Sequence, residues 1–157
     1  MWIFLIILII AAGAVISAKL HSAAKEGIYE NSVNSYLSGN RKRKTAVSGK
    51  YRKMDGYAYE SHVAKRLKSM GYRNVEITAK SGDFGADILA KDWRGFKICF
   101  QCKRYNGPVG VKAVQEAISA RTFYKCRKAA VVTPSVFTDG AKKLAKTSGV
   151  KLYEGFK

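Results

Sequence analysis

The apolar pattern changes period several times along this chain, and each change marks an element. Trp2 to Ala18 is an unbroken apolar run, WIFLIILIIAAGAVISA. From Lys19 to about Met54 the pattern dissolves into Ser, Asn, Gly and Tyr, with Ser38-Gly39-Asn40 and Ser48-Gly49-Lys50 as loop punctuation. Ala18 to Glu26 can prolong the first helix until Gly27. Order resumes at Asp55. Tyr59, Val63, Leu67 and Met70 recur at helical spacing and predict a helix from Gly56 or Tyr57 to Met70, capped by Asp55 and stopped by Gly71. Val75 and Ile77 alternate within a strand over Asn74 to Thr78. Lys80 to Ala86 is a loop in which two glycines let the backbone turn sharply. Two strand runs follow, Asp87 to Lys91 and Phe96 to Lys103, joined by the hairpin turn Asp92-Trp93-Arg94-Gly95. After the Asn106-Gly107-Pro108 loop, a helix from Val111 to about Tyr124 carries the apolar stripe Val111, Val114, Ala117 and Ile118. Ala129 to Thr133 reads as a central strand buried on both faces. Thr138 caps a helix over Asp139 to Ser148, Gly149 ends it, and Val150 to Tyr153 is a last strand. Strand, hairpin, helix, strand, helix, strand is the order of a mixed α/β sheet flanked by helices, without internal repeats.

The chemistry concentrates in the hairpin. Side chains alternate along a strand, so Ile98, Phe100 and Cys102 share one face while Cys99, Gln101 and Lys103 share the other. Gln101 and Lys103 then point the same way from a largely buried strand. A hairpin that pairs Asp87 near that end brings an acid, an amide and an amine together. Carboxylate and amide oxygens are hard ligands that suit Mg²⁺. An ammonium beside them can orient a water and stabilise charge on phosphate oxygens. That combination suits metal-assisted phosphodiester hydrolysis.

These residues carry a family resemblance. The pattern Glu60 … Gly82-Asp83-x-Gly85-x-Asp87 … Gln101-x-Lys103 resembles the Mrr-type restriction endonucleases of the PD-(D/E)xK nuclease superfamily. Supporting it are Gly71-Tyr72, the QCKRY run from Gln101 to Tyr105, and PVGVKAVQE from Pro108 to Glu116. Phe84 stands where such families often have a second small residue. The likeness runs from about Asp55 to about Glu154 and implies the restriction-endonuclease-like fold for an endonuclease domain over 55–157. It implies one Mg²⁺ on Asp87, the Gln101 side-chain oxygen, the Cys102 carbonyl and Glu60. Lys103 and the metal then activate water for attack on a DNA phosphodiester, leaving 5′-phosphate and 3′-hydroxyl ends. On spacing alone Glu60 is equally a solvated acid at the edge of its helix's buried face, and Asp83 is a turn residue or an acid near the metal. The resemblance points Gln115 toward the site, against a plain solvated position. Lys80, Arg104 and Lys112 are the candidate phosphate contacts.

Charge narrows the partners. The 157 residues contain 29 Lys and Arg against 11 Asp and Glu, a net charge of +18. Such an excess points to a polyanion (DNA, an anionic membrane, or both), against a basic surface that only keeps the protein soluble. The apolar run, extended through Met1 and Leu20, reaches the length of a transmembrane helix, residues 1–20. No basic residue precedes it, whereas Lys19, Lys25 and Arg41 to Lys44 follow. The positive-inside rule then keeps the body on the cytoplasmic side of the inner membrane. A secretory signal peptide and a buried core helix are the competing readings. Residues 21–54 make a basic linker whose Arg41 to Lys44 cluster suits anionic lipid, DNA phosphates, or solvent alone. Cys99-x-x-Cys102 has a redox or zinc spacing, but strand positions three apart face opposite sides. With Cys126 they read as reduced packing thiols. A homodimer is expected if both DNA strands are cut. Two other classes fit the chain: a catalytically silent nuclease-fold protein that binds DNA at the membrane, and a basic membrane-surface protein that binds lipid only.

Overall fold

The computed structural model describes residues 14–24, 51, 54–78 and 84–156. The chain forms two compact units, Met1–Gly39 and Asn40–Lys157. In the first, residues 14–24 are helical, with Val15, Ile16 and Leu20 each more than half exposed. Among the described residues no helix is long and apolar enough to cross a membrane. Most of the expected anchor over residues 1–20 lies outside those residues, as do the Arg41 to Lys44 cluster, Lys80 and Asp83.

The second unit is built from α1 (Gly56–Ser69), β1 (Arg73–Ile77), β2 (Ile88–Lys91), β3 (Lys97–Cys102), α2 (Val111–Phe123), β4 (Lys128–Val132), α3 (Asp139–Ser148) and β5 (Val150–Tyr153). The strands lie in sequence order in one sheet, β1-β2-β3-β4-β5. β1, β2 and β3 run antiparallel, joined by the short connections a meander needs. β3, β4 and β5 run parallel, and α2 and α3 supply the crossovers that parallel neighbours require. The mixed α/β sheet expected from the pattern is therefore present, with every element within a residue or two of its expected bounds.

Local signals explain the boundaries. Asp55 caps α1, its carboxylate accepting from the Ala58 N–H at 2.6 Å. Thr138 does the same for α3 through the Ala141 N–H at 3.2 Å. The β2–β3 turn is held by Asp92, only 2% exposed, whose Oδ1 accepts from the Arg94 and Phe96 N–H groups at 3.0 and 2.9 Å.

One sheet face is covered by α2 and α3. Ala113, Val114, Ala117, Ala120, Ala141 and Ala145 pack there against Cys99, Ala129, Val131 and Val150. The many alanines let the helices approach the strands closely. The α2 stripe differs from the expected one: Ala113 and Ala120 are buried, while Val111 is 43% exposed and Ile118 is only partly covered. Bulk misleads here, because a close helix–sheet contact selects small side chains over large ones. On the other face α1 buries Tyr59, Val63 and Leu67. There Tyr72 meets Phe100 edge-on, with centroids 5.4 Å apart, and the Tyr59 hydroxyl donates to the Phe156 carbonyl at 3.2 Å. Tyr51 is buried too and packs edge-on against Tyr59 and His62, so this packing reaches back beyond the expected domain start at residue 55.

Candidate active site

The hairpin register places the acid. Ile88 pairs with Phe100, so Asp87 sits beside Gln101 where β3 ends. Its backbone is tied on both sides: the Asp87 N–H donates to the Phe100 carbonyl at 2.9 Å, and the Thr78 N–H donates to the Asp87 carbonyl at 3.0 Å. The Thr78 hydroxyl also donates to the Ala86 carbonyl. The Asp87 carboxylate accepts from Gln101 Nε2 at 2.5 Å and from the Cys102 N–H at 2.6 Å, both on Oδ2. Two donors on one oxygen fix the rotation of the carboxylate.

Gln101 is 4% exposed, and its Oε1 is buried without a hydrogen-bond partner among the described residues. An orphaned buried amide oxygen costs about 1–3 kcal/mol, so this one calls for a water, a ligand or an ion as partner. Among the described residues no three His, Cys, Asp or Glu side chains cluster as a metal site. The donors gathered at this strand end, Asp87, Gln101 Oε1 and the Cys102 carbonyl, are oxygens, which suit a hard divalent ion over zinc. The Cys102 thiol faces the opposite side of the sheet from the Gln101 amide. Burial, then the negative charges of Asp87 and Glu60, push it well above the usual thiol range, against the opposing charge of Lys103. Glu60, half-buried on α1, contributes one of these charges from the other sheet face.

Lys103 shares the Gln101 face. Its N–H donates to the Val132 carbonyl at 2.8 Å, which pins the backbone to β4. Its ammonium lies 2.6 Å from Glu116 Oε2 on α2, with side chains 18% and 27% exposed. Burial alone would lower the lysine pKa. The hydrogen bond and charge of Glu116, followed by the smaller effects of Tyr105 and Asp87, instead carry it above the ordinary value.

Glu116 also receives the loop that delivers Asp87. Gly85 has φ +89°, and a Cβ there would lie 2.6 Å from the Glu116 carbonyl oxygen and 2.9 Å from its carbonyl carbon and Cβ. The loop backbone rests directly on α2. Next to it Phe84, in the left-handed region at φ +49°, stacks on Phe123 with centroids 3.7 Å apart. That contact accounts for an aromatic residue where a small one was expected: the ring staples the loop to the helix.

The structure therefore brings together Asp87, Gln101, Cys102 and Lys103, while Glu60 stands on α1 at the other sheet face. Gln115 is exposed on α2, Lys112 is exposed one turn earlier, and Arg104 is half-buried next to Lys103. Glu116 carries the contact with Lys103 that its sequence neighbour Gln115 does not. Both flank the apolar stripe, and only the roll of α2 on β3 distinguishes them.

A mixed sheet with an acid, an amide and an amine at one end of its central hairpin defines the restriction-endonuclease-like class. The comparisons agree. Residues 51–157 match the family Mrr_cat, described as restriction endonuclease. Among solved structures, the DNA modification-dependent restriction endonuclease AspBHI superposes with a TM-score of 0.51 at 17% identity, over 78% of this chain and 33% of its own. A crystal structure of a protein of unknown function superposes at 0.50 with 22% identity, over 59% of this chain and 54% of its own. The chain thus spans between a third and about half of the length of these proteins. No curated protein matches it. The chain belongs to the Mrr-type restriction endonuclease family.

Proposed function

We propose that this chain is a divalent-metal-dependent DNA endonuclease, with Mg²⁺ as the working ion. The observation that carries the reading is the meeting of Asp87, Gln101 and the Lys103–Glu116 pair at one strand end. Asp87, Gln101 Oε1 and the Cys102 carbonyl would hold the ion, with Glu60 completing the set. When bound, the metal supplies Lewis-acid activation of water and of the phosphate. Asp87 is held in one orientation by Gln101 and the Cys102 N–H. Lys103, paired with Glu116, would donate hydrogen bonds and stabilise charge developing on the phosphate oxygens. Lys80, Arg104 and Lys112, with Gln115, are assigned to the DNA approach, and the +18 charge supports a polyanionic substrate.

Residues 1–20 are assigned to an inner-membrane anchor that leaves the nuclease unit in the cytoplasm. The support is the uncharged run and the basic residues that follow it. A homodimer would place two sites on the two strands of a duplex. The functional test is Lys103→Ala. Cleavage of plasmid is expected to fall by more than two orders of magnitude while salt-sensitive DNA binding persists. Undiminished cleavage in that variant would refute the mechanism. Binding without cleavage in the parent protein would instead favour a silent, membrane-held DNA tether.

A further inference from the structure

The end of β3 remote from Lys103 carries a second concentration of charge. Residues 91–97 and 124–128 contain six cations, Lys91, Arg94, Lys97, Lys125, Arg127 and Lys128, and one acid, Asp92. The two segments are locked together: the Arg127 N–H donates to the Lys97 carbonyl at 2.9 Å, and Lys128 Nζ lies 3.7 Å from Asp92 Oδ2. Asp92 is buried and spent on the turn, so the outer surface carries the cations and no acid of these segments.

Aromatic rings hold the cations in place. The Arg127 guanidinium lies 4.0 Å from the Phe96 ring centre, and that of Arg94 lies 5.9 Å from it and 5.1 Å from Trp93. Lys97 Nζ sits 5.6 Å from the Tyr124 ring. Guanidinium groups stacked on rings lose little further freedom on meeting a phosphate, and their planar forks match its oxygens. None of this serves the site around Asp87. Six strand steps separate Lys97 from Lys103, roughly 20 Å, or about six phosphate spacings along one strand.

We propose that Arg94, Arg127, Lys97 and Lys125 form a second contact surface for duplex DNA phosphates, at the far end of the sheet from the catalytic residues. The proposal rests on DNA being the partner of this domain. A nucleic acid is favoured over a bilayer because the apolar surface here is not open for insertion. Trp93 and Phe96 are half-buried and already faced by guanidinium groups. The surface would let one domain hold a second stretch of duplex, or a bent continuation of the first, while the active site engages a phosphodiester.

The test uses the full chain in zwitterionic detergent and a fluorescent duplex without divalent metal, with affinity read across a salt series. Arg94→Gln combined with Arg127→Gln should lower affinity several-fold at fixed salt. It should make the plot of log K against log salt shallower by about 1.8, two contacts at ~0.9 each. Arg94→Lys with Arg127→Lys should restore the slope. If the Gln pair loses its thermal transition, Lys97→Gln with Lys125→Gln provides the same reading from exposed positions. An unchanged slope would overturn the proposal. So would an unchanged DNA slope with lost binding to phosphatidylserine vesicles, which would assign the surface to lipid. The binding measurement needs no cleavage, so failure of the nuclease mechanism, read from Lys103→Ala with metal present, is scored separately.

Discussion

Replacing Gly85 with alanine tests whether the loop that delivers Asp87 is held by direct backbone contact with α2. The new Cβ would meet the Glu116 carbonyl oxygen at 2.6 Å and its carbonyl carbon at 2.9 Å. These are backbone atoms inside a helix and cannot swing aside. The residue would also keep φ near +89°, where an L side chain costs about 1–2 kcal/mol. Overpacking adds a further ~1–3 kcal/mol, for a total of about 2–5 kcal/mol. Gly95→Ala supplies the control: φ is +84°, but a Cβ there meets nothing within 4 Å. Only the backbone cost of ~1–2 kcal/mol applies to it. Urea unfolding of the two variants should differ by at least about 1 kcal/mol, or roughly half a molar or more in midpoint for a slope of 1–2 kcal/mol/M. Cleavage should fall in Gly85→Ala under conditions where it remains folded, because relief of the clash moves either Asp87 or Glu116. Gly95→Ala should cut normally. Equal destabilisation by the two alanines, or full activity in Gly85→Ala, would refute the close-contact account.

Other expectations follow from the same geometry. Glu116→Gln removes the charge facing Lys103 and should cost about 1–2 kcal/mol, reduced from a fully buried pair by partial exposure; denaturation and plasmid cleavage check it, and unchanged cleavage would remove Glu116 from the site. Asp92→Ala strands two backbone N–H groups and should destabilise by about 2–4 kcal/mol, with Asp92→Asn costing less because an acceptor remains. The thiols of Cys99, Cys102 and Cys126 are all buried and pushed up chiefly by burial, Cys99 to about 12. They should resist a thiol reagent at pH 8 in the native protein and react on unfolding. The unfolded chain loses the Cys99 proton near pH 9 and the native chain near 12, so this group's contribution is intact below 9. Stability should then fall as pH rises between the two values, by at most about 1.4 kcal/mol per unit before solvent screening; a flat stability profile there would contradict the burial of Cys99.

Local physics made much of the site legible. The two-residue period of a strand put Gln101 and Lys103 on one face, and the turn chemistry around Asp92 and Gly95 marked a hairpin, whose register in the structure brings Asp87 to Gln101. Capping by Asp55 and Thr138 was equally readable, because a cap is a contact between residues three apart. Contacts set by packing were not. Glu116 and Gln115 differ by one helical step, and nothing local says which one meets Lys103. The alanines of α2 carried less apparent weight than Val111, yet a close helix–sheet approach buries Ala113 and Ala120 and leaves Val111 out. Phe84 read as a departure from the family pattern because its partner, Phe123, is distant in sequence. Tyr51 looked like linker because its partners on α1 lie beyond Asp55.

The measurement that bears most directly on the central claim is cleavage of supercoiled plasmid by the full chain, with Mg²⁺, with EDTA, and with Asp87→Ala alongside. The geometry predicts metal-dependent cutting that EDTA stops and that Asp87→Ala abolishes, while the variant keeps the parent's thermal transition. Cutting that survives the loss of Asp87 would contradict the account.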